Sequence, residues 1–246
     1  MSTLSSSRCS KVNRALDSGL RLTDPAIFAT ISAADLRHVF RSETSEEIPL
    51  FDERLEILHQ AGRCLVDGFQ GSFYHLLKAS GGSATKLIQL VVDNFPSFRD
   101  EGVFEDVPVC FYKRAQILVA DIWGCLGGRG LGDFEDLAEV TMFADYRVPQ
   151  ALAFTGAIAY SPKLTTALKE GILLKSGDRW EMEIRGCSIH VCELIRDKAE
   201  ELLRESGRSD LKVNAILVDF FLWSWAKANE EEVKDIPVHK IRCVYY

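Results

Sequence analysis

The sequence lacks the features by which a secreted or membrane-spanning protein is usually recognised. Its first residues, MSTLSSSRCSKVNRA, are polar and contain no apolar core of signal-peptide length. No stretch of the chain approaches the roughly 18 uninterrupted apolar residues that a membrane helix needs. We therefore expect no membrane partner and a cytoplasmic location, with the nucleus as the other compartment that this pattern allows.

Regularly spaced cysteines are also lacking. The chain has 7 cysteines, an odd number, and no two of them form a CxxC pair. Its 5 histidines never stand four residues apart. These spacings argue against a disulfide framework and against a structural zinc site. The sequence therefore predicts reduced thiols and no bound metal.

Basic residues are too few for a general nucleic-acid-binding face. The 246 residues include 29 Lys and Arg against 36 Asp and Glu, which gives a net charge of −7. Because duplex binding depends on neutralising phosphates, we expect no duplex nucleic acid as a partner. The Walker loop, HExxH and GxSxG motifs are missing as well, so the common nucleotide-binding, zinc-protease and esterase sites are not indicated.

The patterns that are present indicate helices. The composition, 47% hydrophobic and 26% charged, is that of a soluble globular protein. Helix starts are marked by Asp24-Pro25, Ser32 and Ser161-Pro162. Strand signals are sparse and are confined to VFEDVPVCFY and the terminal IRCVYY. The sequence predicts a mostly α fold, with a disordered tail at residues 1–10 and a single domain over 11–246.

The clearest amphipathic pattern precedes Gly207, in IHVCELIRDKAEELLRES. Five residues recur there at helical spacing and predict the face that this helix turns towards the core. They are Val191, Leu194, Ile195, Lys198 and Leu202.

Two aspartates are candidates for a functional site. Asp145 lies between Phe143 and Tyr146, where an aromatic pocket could desolvate its carboxylate. The alternative is a structural role as a helix cap or as a partner of Arg147, and composition alone favours it. Asp219 interrupts the apolar run ILVDFFLWSW, and a buried carboxylate needs either a hydrogen-bond partner or a ligand.

Two neighbouring features could serve the same site. The aromatic residues that follow Asp219, beginning with Phe220, are core residues by default but could form a slot for a planar base. Lys113 and Arg114 open an otherwise apolar helix. They are either solvated or, together with free N–H groups of the first helical turn, able to hold a phosphate.

Six segments of the chain, in the same order, resemble segments of the queuosine salvage protein family. The members of this family are queuosine 5′-phosphate N-glycosylases/hydrolases. The resemblance implies a mostly helical fold similar to helix–hairpin–helix DNA glycosylases, with no metal and no cofactor. It also implies hydrolysis of the N-glycosidic bond of a small-molecule substrate, queuosine 5′-phosphate, with release of queuine for salvage into tRNA. The segments are FPSFRD (95–100), FYKRAQILVADIW (111–123), MFADYRVPQ (142–150), EIRGCS (183–188), VDFFLW (218–223) and IPVHKIRCVYY (236–246).

The resemblance assigns roles to individual residues. Asp145 matches the catalytic aspartate, Phe143 an aromatic residue that contacts the base, and Asp219 a substrate-binding aspartate. Lys113 matches a lysine that we place near the phosphate. A carboxylate below the ribose would stabilise the oxocarbenium-like cation that forms when the base leaves, or would attack it. Both roles of Asp145 stay open.

The chain departs from the family pattern in two places, the last long helix and the N-terminus. Phe220 and Ser224 belong to the substrate-binding helix, but they stand where relatives usually carry a tyrosine and a second acid. Relatives also carry an N-terminal segment that this sequence does not contain. We therefore expect a lower activity than that of a full-length relative. The alternative is a non-catalytic truncated paralogue or isoform that acts as a helical binding or scaffold protein. The oligomeric state stays open.

Overall fold

The structure is a computed structural model that describes residues 12–13, 15–42 and 48–246. The predicted disordered tail at 1–10 lies outside these residues. Over the described part the chain is mostly helical with a few short strands, which confirms the predicted fold class. None of the helices in these ranges is both long and apolar enough to cross a membrane. The similarity to helix–hairpin–helix glycosylases and the single domain over 11–246 stay predictions.

The chain forms two compact units. The first comprises Met1–Gly81 with Asp93–Ser97, and the second comprises Gly82–Val92 with Phe98–Tyr246. Helices of the first unit whose full range is described include α1 (Pro25–Phe28), α2 (Ala33–Phe40), α3 (Phe51–Gly68) and α4 (Phe73–Ala79).

The first unit has a small apolar core and one very close backbone approach. Ile31, Leu36 and Phe51 are buried together in that core. On α3, Gly62 faces Ala29 so closely that a Cβ atom at residue 62 would lie 2.6 Å from the Cα atom of Ala29. Only a glycine fits this contact without a shift of the backbone.

The second unit contains the remaining helices and all the described strands. Its two sheets are small: β1 and β2 form an antiparallel hairpin, and β3 pairs with β4 in parallel. A further helix, α5 (Ala84–Asn94), begins in this unit and ends in the first. The other elements are β1 (Glu101–Phe104), β2 (Val107–Cys110), α6 (Lys113–Cys125), α7 (Arg147–Phe154), α8 (Pro162–Lys169), β3 (Leu173–Leu174), α9 (Arg179–Glu205), α10 (Ala215–Ala228), α11 (Glu230–Val233) and β4 (Lys240–Ile241).

The core of the second unit lies where α7, α9 and α10 pack together. Met142, Val148 and Leu152 are fully buried there, and Leu222 of α10 joins them. Because α7 starts directly after residue 146, this packing also fixes the position of the polypeptide that leads into α7.

The predicted core face of α9 is partly wrong. Val191 and Ile195 pack against the core as expected, but Leu194, Lys198 and Leu202 are each about half exposed. The buried residues of α9 lie in its N-terminal half, and three of the six are polar or charged. They are Glu181, Arg185 and Ser188, together with Met182, Ile184 and Cys192. A pattern built on apolar residues alone could not find the three polar members of this face.

Candidate functional site

The segment 141–146, which carries Phe143 and Asp145, has neither helical nor strand structure. Side chains from neighbouring helices hold its backbone. Gln116 of α6 accepts a hydrogen bond from the N–H of Thr141 at 2.7 Å, and its amide group donates to the Thr141 hydroxyl at 3.0 Å. Asp219 of α10 accepts one from the N–H of Phe143 at 2.9 Å. The segment is therefore ordered by contacts that are distant in sequence.

Asp145 fulfils the structural alternative that its sequence context favours. Its Oδ1 atom accepts hydrogen bonds from the N–H groups of Arg147 at 2.8 Å and Val148 at 3.1 Å, at the start of α7. The half-buried carboxylate is thus held by the first N–H groups of a helix, where the helix dipole favours negative charge. Capping does not exclude a further role, because the same carboxylate acts electrostatically on Asp219 and Lys113.

Asp219 is buried in the second unit, with 4% of its surface exposed. Burial raises the pKa of Asp219 to about 7, and the neighbouring negative charge of Asp145 acts in the same direction. The N–H of Phe143 and the ammonium of Lys113 oppose this shift without cancelling it. Asp219 therefore gains and loses its proton near neutral pH, as a group engaged in proton transfer would.

Lys113 is the first residue of α6, and it is buried close to both aspartates. Burial lowers the pKa of Lys113, while the charge of Asp145 acts to raise it. Its Nζ atom lies 5.2 Å from the ring centroid of Tyr246. The adjacent Arg114 instead donates to the carbonyl oxygen of Val244 at 3.0 Å. The two basic residues that the sequence pairs are thus engaged with different partners, and a phosphate contact of Lys113 stays a prediction.

The aromatic residues beside the carboxylates form one buried and one open surface. Phe143 is buried, whereas Phe220 is 40% exposed, and their ring centroids are 6.0 Å apart with the planes inclined at 59°. Ser224 is exposed one helical turn beyond Phe220 on α10. The structure therefore brings Phe143 and Phe220 together and places Ser224 on the open face of the same helix.

A buried polar network next to these residues was not singled out from the sequence. Its centre is Arg185 of α9, whose Nη1 atom donates to Asp100 at 2.9 Å and to Glu181 at 3.0 Å. A second nitrogen, Nη2, donates to the other carboxylate oxygen of Asp100, and Nε donates to the carbonyl oxygen of Ala144 at 3.1 Å. The sequence signal was present but ambiguous, since a Glu and an Arg four residues apart usually form an exposed helical ion pair.

The network continues through the C-terminal segment. The hydroxyl of Tyr246 donates to Glu181 at 2.7 Å and lies 3.2 Å from Nε2 of His239. Burial lowers the pKa of His239 to about 4, and the positive charges of Arg185 and Lys113 act in the same direction. This histidine is therefore neutral at physiological pH.

The arrangement as a whole suits a planar, electron-rich ligand and a developing positive charge. A carboxylate fixed by helix N–H groups lies near a carboxyl group that titrates near neutral pH, and an aromatic pair adjoins them. Within the described residues, no group of three or more His, Cys, Asp or Glu side chains could hold a metal ion.

Comparison with known proteins identifies relatives of this chain. The family model described as the queuosine salvage protein matches residues 4–246. A mouse (Mus musculus) protein is 49% identical over 238 residues, which cover 97% of this chain and 70% of the relative. A Bos taurus protein is 47% identical, covering 98% of this chain and 71% of the relative, and one from Nematostella vectensis is 43% identical, covering 97% and 71%. All three are named queuosine 5′-phosphate N-glycosylase/hydrolase.

Proposed function

Since this chain belongs to the queuosine salvage protein family, we propose that it is an N-glycosyl hydrolase that cleaves queuosine 5′-phosphate and releases queuine. One structural observation carries this proposal. The carboxylate of Asp145 is fixed at the start of α7 and acts on the buried Asp219 and Lys113. A site with this charge arrangement suits the cleavage of a bond between a base and a ribose.

In this proposal Asp145 acts on the ribose. Loss of the base leaves a ribosyl cation with oxocarbenium character, and a carboxylate close to C1′ stabilises it. Because the N–H groups of Arg147 and Val148 already hold Oδ1, the carboxylate is oriented before the reaction begins. The same position allows attack on C1′ with a covalent intermediate, so both roles of Asp145 stay open. In either role a water molecule then adds to C1′ and loses a proton, which completes the hydrolysis and frees the carboxylate.

Asp219 and the aromatic pair act on the base. The rings of Phe143 and Phe220 provide stacking surface, as in enzymes that hold an extruded base. One oxygen of Asp219 accepts from the N–H of Phe143, and the other could accept a hydrogen bond from the edge of the base. In its protonated form Asp219 could also donate a proton to the departing 7-deazapurine, which is a poor leaving group as an anion.

Lys113 and Ser224 have the less central roles. We propose that Lys113 contacts the 5′-phosphate, and the charge of the neighbouring Asp145 acts to raise the pKa of Lys113. Ser224 would lie near the cationic amine of queuine, where a hydroxyl gives a weaker contact than a carboxylate. We also propose that the protein needs no metal and no cofactor for this reaction.

The experiment is to incubate the purified protein with queuosine 5′-phosphate and to detect free queuine by mass spectrometry. Queuosine without the phosphate, tested in parallel, shows whether the nucleotide is required. Release of queuine supports an enzyme. If the folded protein releases none at any substrate concentration, the non-catalytic alternative is favoured.

The Asp145→Asn variant tests the proposed catalytic residue. Asn keeps the shape and the capping oxygen but removes the charge, and loss of one such stabiliser commonly lowers kcat by about 10²–10³. The control is Asp210→Asn, which changes an exposed aspartate outside the site. Turnover at the wild-type rate in Asp145→Asn would contradict the assignment.

A further inference from the structure

Arg185 contacts the backbone directly before Asp145. Its Nε atom donates to the carbonyl oxygen of Ala144 at 3.1 Å, and only 1% of the Arg185 surface is exposed. Since a peptide unit is planar and trans, the direction of the Ala144 carbonyl also fixes the direction of the Asp145 N–H. The contact therefore acts on the orientation of Asp145 without involving its side chain.

The guanidinium that makes this contact is itself fixed in place. Two of its nitrogens bind both carboxylate oxygens of Asp100, and one of them also binds Glu181 at 3.0 Å. Paired hydrogen bonds of this kind restrict the guanidinium in its plane. The ring centroid of Phe111 lies 3.9 Å from its central carbon, which adds a contact on one face. The donor to Ala144 therefore has a defined position.

The segment depends on such external contacts because it forms no regular secondary structure. Asp219 holds it at the N–H of Phe143, and α7 holds the Asp145 side chain. The peptide between these two points is the one that Arg185 binds. A change at Arg185 would therefore let the backbone of Asp145 shift while both neighbouring contacts remain.

We propose that Arg185 is a positioning residue that holds Asp145 in its reactive orientation through the carbonyl group of Ala144. The inference rests on the catalytic role of Asp145 in the proposed function. Arg185 lies outside the set of side chains that we expect to contact the substrate. Its loss should therefore lower kcat while leaving KM nearly unchanged, because the stacking surface and Lys113 are retained.

The test is Arg185→Lys, which keeps the positive charge but loses the paired hydrogen bonds of the guanidinium. We expect kcat with queuosine 5′-phosphate to fall by about 10- to 100-fold with KM changed less than about threefold, because misplacement by about 1 Å can cost 10² in rate. Arg196→Lys is the matched control on the same helix, since Arg196 forms ion pairs only with its helix neighbours Glu193 and Asp197 among the described residues. It should leave both parameters unchanged.

Hydrogen–deuterium exchange provides a measurement that needs no turnover. In Arg185→Lys the amides of residues 144–146 should exchange faster, while those of α8 keep their wild-type rates. Faster exchange throughout the protein would mean a general loss of stability and would overturn the proposal. If the wild-type protein releases no queuine, the proposed function fails, yet the exchange pattern still decides whether Arg185 positions this segment.

Two further results would contradict the positioning role. One is a wild-type kcat in Arg185→Lys with only a lower melting temperature, and the other is an unchanged exchange rate at residues 144–146. If Arg185→Lys fails to fold, Asp100→Asn replaces it. Asn keeps the shape of Asp100 but forms weaker hydrogen bonds with the guanidinium of Arg185. That variant should show a smaller fall in kcat with the same local increase in exchange, and wild-type values of both would overturn the inference.

Discussion

At the scale of single residues, the same chemical group has two environments in this site. The Asp145 carboxylate is half-buried and capped by helix N–H groups, whereas Asp219 is buried and accepts one hydrogen bond from the backbone N–H of Phe143. Both could be singled out from the sequence, because an acid in an apolar or aromatic context is unusual. Arg185 could not, because its burial results from Asp100, which lies 85 residues away in the chain.

The raised pKa of Asp219 gives a prediction for stability. Its pKa is about 7 in the fold against an ordinary value of 3.8, so the folded state binds more protons than the unfolded state between these values. The contribution of Asp219 to stability is therefore greatest at low pH and is lost as the pH rises towards 7. The Asp219→Asn variant does not lose stability in this way, because the Asn side chain does not ionise. Its oxygen can still accept a hydrogen bond from the N–H of Phe143.

We expect the melting temperature of Asp219→Asn to exceed that of the wild type increasingly from pH 4 to pH 7, with a constant difference above that. The difference corresponds to at most about 4 kcal/mol, since one unit of pKa is worth about 1.4 kcal/mol. Thermal unfolding of both proteins across this pH range is the measurement, with Asp210→Asn as the control. A difference that shrinks with rising pH would refute the prediction.

At the scale of the elements, helix starts were predicted well where the signal is local. Asp24, Ser32 and Ser161 each accept a hydrogen bond from an N–H group two or three residues further on. The start of α5 has only part of its cap in the local sequence. The Ser83 hydroxyl accepts a hydrogen bond from the N–H of Lys86 at 3.1 Å. The N–H groups at residues 84 and 85 are bound by Asp136, which is distant in sequence, so no local pattern reveals this second partner.

The cap of α5 yields a second prediction. Asp136 also accepts hydrogen bonds from the hydroxyls of Ser83 and Thr85. Although partial burial acts to raise it, these hydrogen bonds lower the pKa of Asp136 to about 2. Asp136→Ala should lower the free energy of unfolding by about 1–2 kcal/mol, as the loss of a helix cap does.

Urea denaturation measures this loss, and the exposed neighbour Asp133 provides the control variant Asp133→Ala. Because the pKa of Asp136 is depressed in the fold, its contribution is present above pH 4 and is lost as the pH falls towards 2. The two variants should therefore differ at pH 6 and converge near pH 2. Equal stability of the two at pH 6 would show that the cap contributes nothing.

At the scale of the whole molecule, composition predicted the mostly helical fold class but not the division into two units. The boundary near residue 81 falls in the short stretch Ser-Gly-Gly-Ser (80–83), which is typical of any turn between two helices and does not by itself indicate a division. The first unit is also completed by a later segment, Asp93–Ser97. A unit assembled from separate stretches has no single boundary that a linear pattern could show.

The net charge of −7 predicts how the molecule behaves towards nucleic acid. Duplex binding requires many cations at the phosphates, and non-specific complexes typically have Kd values of about 10⁻⁴–10⁻⁶ M at physiological salt. At physiological salt, fluorescence anisotropy should show no saturable binding of a labelled DNA duplex below about 10 μM protein. A submicromolar Kd would contradict the prediction and would indicate a basic surface that the total charge conceals.

The close approach at Gly62 limits which substitutions the protein can accept at this position. A glycine inside a helix is ordinarily a weak point, and alanine there adds roughly 0.5–1 kcal/mol of stability. Gly62→Ala does not give this gain, because the added methyl group would overlap the backbone of Ala29. At Gly186 of α9 nothing lies within 4 Å of the corresponding methyl position, so Gly186→Ala meets no steric obstacle. A library of variants ranked by helix propensity alone would treat the two glycines as equal. Alanine at Gly186 stabilises the helix, whereas alanine at Gly62 disrupts the packing of its unit.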